Sequence, residues 1–249
     1  MSFKSWRSYM NFSYAVKNKL RYILDQQSND FLKEIENTCA SRVEIIEPNS
    51  QMWRAQLGHD EKAYFQHDIH IDDFPVPYSA SRMKPLSDSA SEGRANPKGI
   101  PCLYVASTKE TAMSEIRPWL GSIISVAKFT NTRELRVIDC SKYHRDISPI
   151  YLAEPDDNKK QQAVWLHIDK AFSEPVSNSD VKSDYAPTQI IAELIKSLGY
   201  DGVAFKSSLS DGLNIALFDL NSAKFQSCSL CQTKEIEFSF NGVSTPFNP

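Results

Sequence analysis

Arg94, Tyr104 and Glu115 fall within one short stretch, Gly93 to Glu115, which reads GRANPKGIPCLYVASTKETAMSE. A guanidinium grips phosphate through a planar fork of donors that never loses its charge, an aromatic ring borders a flat heterocycle, and a carboxylate binds sugar hydroxyls. The intervening residues supply the scaffold. Pro97-Lys98-Gly99 is a turn, Ile100 to Ala106 reads as an apolar strand, and Ser107 or Thr108 caps a helix with Ala112, Met113, Ile116 and Leu120 on its apolar face. Glu115 is therefore expected on a helix.

Two further segments carry compatible residues. Upstream, Met52-Trp53-Arg54 lies in a strand-like run after Val43 to Ile46, placing a fixed cation beside a tryptophan. Downstream, Tyr185-Ala186-Pro187-Thr188-Gln189 opens a helix whose stripe is Ile190, Ile191, Leu194, Ile195 and Leu198, and Gly199 ends it. Asp201-Gly202 then turns into the strand Val203 to Phe205, which delivers Ser207 and Ser208, and Asn214 lies in the following strand, Leu213 to Phe218. Taken singly, each has a plain structural reading: an arginine near a glutamate is an ordinary ion pair, and serines after a strand are loop residues. Their order along the chain gives them weight.

Together the three segments resemble the RES domain, a family named for an Arg, a Glu and a Ser. The likeness falls on Trp53-Arg54, on Gly93-Arg94, Asn96, Gly99, Leu103-Tyr104, Thr111-Ala112 and Glu115, and on Gly199-Tyr200-Asp201-Gly202, the serine pair, Gly212, Asn214 and Leu217-Phe218. It spans roughly residues 49 to 220. The pattern departs at Ala95, where the family usually carries an aromatic residue as one wall of the pocket. Of the two serines, Ser207 keeps the spacing from Phe205.

The resemblance implies an ADP-ribosyltransferase-like α+β fold of bent antiparallel sheets with flanking helices, and NAD degradation as the activity, with NAD as substrate and no other cofactor. It also implies the role of toxin in a bacterial toxin–antitoxin pair, hence an antitoxin or immunity protein as partner. Residue by residue, Arg54, Glu115 and Ser207 become the expected catalytic group, and Arg94, Tyr104 and Asn214 the expected binding group, with no metal ligand. In NAD the leaving nicotinamide is already cationic, so its departure builds positive charge on the ribose, which Glu115 is placed to stabilise. Water, phosphate or a protein side chain could accept the ADP-ribosyl group, giving hydrolysis, phosphorolysis or ADP-ribosylation. An inactive module that binds a nucleotide or a partner is the reading from another class.

Composition excludes more than it selects. The 249 residues carry a net charge of -3 and 41% apolar side chains, without the basic excess of a nucleic-acid binder. No apolar run reaches membrane-spanning length and the N-terminus does not continue into a secretory apolar stretch, so a cytoplasmic protein is expected. Five cysteines, scattered and odd in number, do not form a disulfide framework, and Cys228-Ser229-Leu230-Cys231 lacks a second pair to complete a metal site. His67-Asp68-Ile69-His70 with Asp72 and Asp73 is read as a mobile surface loop and not as a metal centre.

Three parts are expected along the chain: an N-terminal helical extension (1–48), a RES-like catalytic domain (49–225) and a C-terminal tail (226–249) with a poorly ordered end from Ser244 to Pro249. Two helices make the extension, one over residues 3 to about 25 and one capped by Ser28-Asn29-Asp30. They are expected to pack on the domain, with partner binding or homo-oligomer formation as alternatives. The Pro- and Ser-rich run Phe74 to Pro97 is expected to be a long loop covering the pocket. Ser122 to Phe129 and Leu135 to Asp139 read as central strands, and Gln161 to Phe172 as a helix.

Overall fold

The computed structural model describes residues 2–86, 90–143, 150–174 and 182–237. The expected tail end, Ser244 to Pro249, lies outside the described residues. Among those described, the fold is α+β, with an eight-stranded sheet, a separate two-stranded hairpin and five α-helices.

The sheet runs β1 (Val43–Ile46), β7 (Leu135–Asp139), β8 (Gly202–Lys206), β9 (Leu213–Leu217), β5 (Leu103–Ala106), β2 (Gln51–Leu57), β6 (Ile123–Asn131) and β10 (Ala223–Gln232). It is mixed, which refines the expected antiparallel arrangement. β7 and β8 are parallel and every other neighbouring pair is antiparallel. A parallel pair needs a long crossover, and the crossover here carries α4 (Asp157–Ser173) and α5 (Ala186–Ser197).

Alternation along the strands sorts the core onto two faces. Ile138, Val203, Phe205 and Ala216 point into one cluster with Trp165, Ile168 and Phe172 of α4 and Ile191 and Ile195 of α5. Their sequence neighbours Val137, Ala204, Ile215 and Leu217 point to the other side, where they meet Met52, Ala127 and Phe129 from β2 and β6. The sheet thus bends over its own inner face. The N-terminal helices α1 (Ser8–Asn18) and α2 (Gln26–Cys39) join the helical layer: Phe12, Phe31 and Ile35 are buried in that first cluster, and the Trp165 indole donates to Thr38 Oγ1 at 3.1 Å. Burial at this scale is worth ~1.5–3 kcal/mol per large apolar side chain.

Several expectations need correction. The helix at residues 3 to 25 is shorter, and the expected strand from Ile100 begins only at Leu103, after Pro101, which has no N–H to give a ladder. Helix α3 (Lys109–Glu115) stops before Ile116 and Leu120, because Arg117 precedes Pro118 and turns to a φ of 47°. The residues read as a surface loop form a hairpin, β3 (Asp60–Gln66) and β4 (Ile69–Val76), so the loop expected from Phe74 starts after Val76. Strand β10 crosses the boundary expected at 225. Within it Cys228 packs on the inner face and Cys231 on the opposite one, as a three-residue step along a strand requires, so the two thiols do not converge.

Asp201 of the GYDG segment is a structural pin. One oxygen takes a hydrogen bond from Arg133, the other accepts from Arg136 N at 2.8 Å, and the backbone of Asp201 pairs with Arg136 O, also at 2.8 Å. Partial burial pulls its carboxyl up, but the Arg133 guanidinium and the Arg136 N–H outweigh that and hold it below the usual range. A depressed carboxylate contributes stability above its unfolded pKa of ~3.9, and loses it as pH falls through the folded value. Asp201→Asn should cost ~1 kcal/mol at neutral pH, the low end because Arg133 is half exposed. Thermal melts should show the gap between the two proteins narrowing as the solution is acidified below that range.

Candidate active site

Glu115 closes α3, which Thr108 starts by accepting from Thr111 N at 3.1 Å. Its Oε1 is clamped by two donors distant in sequence, Ser207 Oγ just past the end of β8 at 2.6 Å and Asn214 Nδ2 of β9 at 2.7 Å. Oε2 carries no hydrogen bond to the described residues, so one oxygen is fixed and the other is not. Ser207 is 4% exposed and its Oγ also accepts from Leu209 N at 3.1 Å, whereas Ser208 is exposed. Of the pair, it is Ser207 that meets Glu115.

Arg54 comes from β2. Its Nη1 donates to Tyr104 O at 3.0 Å, and its Nε is buried without a partner. No carboxylate among the described residues pairs with it, and desolvation pulls its guanidinium below the usual arginine range. A sequestered cation with an idle donor is costly unless something anionic completes it.

Arg94 sits in the turn Gly93–Asn96, and that turn is held from three directions. Tyr104 Oη accepts from Ala95 N at 2.9 Å and donates to Asn96 Oδ1 at 2.7 Å. Asn96 Nδ2 donates to Ser91 O and Ile100 O at 3.0 and 2.8 Å. Gln189 Nε2, from α5, donates to Gly93 O and Asn96 O at 2.9 and 3.0 Å. Burial, relieved in part by the Ala95 N–H, drives the Tyr104 hydroxyl far above the ordinary tyrosine range, so it stays a neutral donor. A Cβ at Gly93 would stand 2.5 Å from that hydroxyl, which explains a glycine there.

Arg54, Arg94, Tyr104, Glu115 and Asn214 all line one cavity of about 370 Å³, walled also by Trp53, Ile116, Tyr185 and Phe205. A neighbouring cavity of about 420 Å³ shares Arg54, Gly93 and Tyr104 with it. Ser207 reaches the site through Glu115. Ala95 is 3% exposed within the helical-face core and lines neither cavity, so its small side chain does not open a wall of the pocket. Sequence reading missed the role of Gln189; the signal available was a polar side chain in the first turn of a helix with an otherwise apolar inner stripe. Among the described residues no three His, Cys, Asp or Glu side chains are grouped to share a metal ion.

The fold and this cleft define an α+β protein whose site sets two arginines around a carboxylate clamped by a serine and an asparagine. The family model of the RES domain matches residues 69–241, and the chain belongs to that family. Arg54 lies before the matched segment and yet shares its cavity. The fold is similar to a chain of the crystal structure of the M. tuberculosis MbcT–MbcA toxin–antitoxin complex, at 16% identity and a TM-score of 0.40, over 78% of this chain and 89% of that one. No curated protein matches the sequence. No helix among the described residues is long and apolar enough to cross a membrane.

Proposed function

We propose that this chain degrades NAD by cleaving the bond between nicotinamide and ribose. The observation that supports it most is the pairing of an uncompensated, largely desolvated Arg54 with a doubly clamped Glu115 on one cavity. An anionic group suits Arg54 and a developing cation suits Glu115, and NAD offers both, a pyrophosphate and a glycosidic carbon that acquires positive charge. The two cavities meeting at Arg54 suit a dinucleotide lying across it, with the pyrophosphate at the guanidinium and the nicotinamide riboside beside Glu115.

In the cleavage step the electron pair of the carbon–nitrogen bond leaves with nicotinamide, neutralising its ring, and the ribose becomes oxocarbenium-like. The free oxygen of Glu115 faces that charge, while Ser207 and Asn214 hold the carboxylate so that no reorganisation is needed as charge develops. Water or phosphate then bonds to the sugar carbon and loses its proton to solvent. Such an activity drains a shared cofactor, so a toxin or defence effector, restrained by an antitoxin and working in the cytoplasm, is the biological setting proposed.

The test is to incubate the purified protein with NAD in phosphate-free and phosphate buffers, follow nicotinamide, and weigh the co-product. ADP-ribose identifies hydrolysis and its phosphate ester phosphorolysis, and a mass increase on protein identifies transfer. Absence of nicotinamide in every arm defeats the proposal.

The turn carrying Arg94 gives a second expected outcome. Gln189→Glu keeps the shape of the side chain but replaces its donating amide with an acceptor facing two carbonyl oxygens. KM for NAD should rise about tenfold, a loss of ~1.4 kcal/mol, with kcat changed less. Steady-state kinetics of the variant check this, and an unchanged KM would remove Gln189 from the positioning of Arg94.

A further inference from the structure

The β3–β4 hairpin projects from the sheet without packing on it. Among the described residues neither strand is hydrogen-bonded to a third, and nearly every residue of both is exposed. Its base is tied by Arg82 to Asp60 at 3.3 Å, and its turn, His67-Asp68, has φ angles of 52° and 62°. A two-stranded hairpin alone is marginal in water. This one nonetheless exposes Tyr64, Phe65, Ile69, Ile71 and Phe74, each 48–65% accessible, among Asp60, Glu61, Asp68, Asp72 and Asp73 with a single lysine, Lys62. It is an acidic arm whose apolar side chains meet only one another and His70 among the described residues, with Tyr64 edge-on to Phe74 and Phe65 edge-on to His70.

A second uncovered patch has the opposite charge. The connection between α1 and α2 exposes Leu20, Tyr22 and Ile23, at 51%, 93% and 81%, beside Lys17, Lys19 and Arg21. These residues line a shallow cavity of about 520 Å³. Lys17 is paired with Asp184 at 3.0 Å, whereas Lys19 and Arg21 form no ion pair among the described residues. No hydrogen bond, ion pair or ring contact joins this patch to the hairpin within one chain.

We propose that the hairpin of one molecule seats on the α1–α2 connection of a second copy. Apolar side chains on each side supply the area, and acidic against basic residues set the register. Hairpin against hairpin would oppose like charges, so the contact joins unlike patches, either exchanged reciprocally in a two-fold dimer or repeated head-to-tail in a ring or chain. The inference does not depend on the reaction, because neither patch includes a residue of the cleft.

Sedimentation or light scattering of the full chain across a dilution series reads it. Wild type should show at least twice the monomer mass at low ionic strength and lose it in high salt, since exposed charge pairs are screened. Asp72→Lys with Asp73→Lys should be monomeric, and so should Lys19→Glu with Arg21→Glu. Mixed in equal amounts, the two variants regain complementary faces and should associate. Circular dichroism and NAD cleavage, both expected unchanged, keep misfolding from being mistaken for dissociation. A wild type that is monomeric throughout, an assembly that either variant leaves intact, or a mixture that fails to reassociate would overturn the proposal.

Discussion

Glu115→Gln should lower the turnover of NAD by about 10²–10³ while leaving the fold and its melting temperature nearly unchanged. The amide oxygen of glutamine can accept from Ser207 Oγ and Asn214 Nδ2 as Oε1 of Glu115 does, at 2.6 and 2.7 Å, so the clamp survives. What disappears is the negative charge on the unclamped side, which in the proposed reaction would stabilise the oxocarbenium-like sugar more than the ground state. The loss should therefore fall on kcat and equally on kcat/KM, with KM little altered. Ser207→Ala removes one of the two clamping donors and should give a smaller loss. Ser208→Ala, at an exposed position, should give none. Nicotinamide release at saturating NAD measures all three. A glutamine variant within a few-fold of wild type would mean that the carboxylate is structural.

The sequence disclosed the elements that bear the site better than the contacts that complete it. Arg54, Glu115, Ser207 and Asn214 were legible because each ends or interrupts an apolar strand or helix, where a polar side chain needs a reason. Their convergence was legible only through a resemblance, since β2, α3, β8 and β9 meet through sheet pairings that no local pattern encodes. Tyr104 shows the limit: a tyrosine in an apolar strand is recognisable, but its hydroxyl's commitment to Ala95 N and Asn96 Oδ1 depends on a turn folding back over it. The partners of Gln189 were hidden for the same reason, because the carbonyls it meets belong to a distant turn.

The hairpin was missed for a different reason. Its turn is His67-Asp68, with both residues at positive φ but no glycine or asparagine to announce it, and strands exposed on both faces show no inward stripe. The parallel β7–β8 pair was hidden because antiparallel and parallel strands buried on both faces read alike. Helix α3 was over-extended where periodicity outvoted Pro118, although the residue before a proline is the better boundary signal.

Arg54→Met should separate stability from function. Methionine keeps much of the unbranched stem and removes a guanidinium that pays desolvation without a counter-ion, so the variant should melt at the same temperature as wild type or higher, despite losing the bond from Nη1 to Tyr104 O. Hydrogen bonds to charged groups are worth ~1.5–3 kcal/mol each. Losing a forked contact to the pyrophosphate should therefore cut kcat/KM for NAD by ~10² or more, since each 1.4 kcal/mol is a factor of ten. Arg54→Lys keeps the charge but not the fork, and should fall between. NAD should also raise the melting temperature of wild type and not of Arg54→Met, because a ligand stabilises only the state it binds. The opposite pattern, a methionine variant that melts early yet cleaves NAD at the wild-type rate, would make Arg54 a support for the Tyr104 backbone and remove it from the ligand's anionic grip.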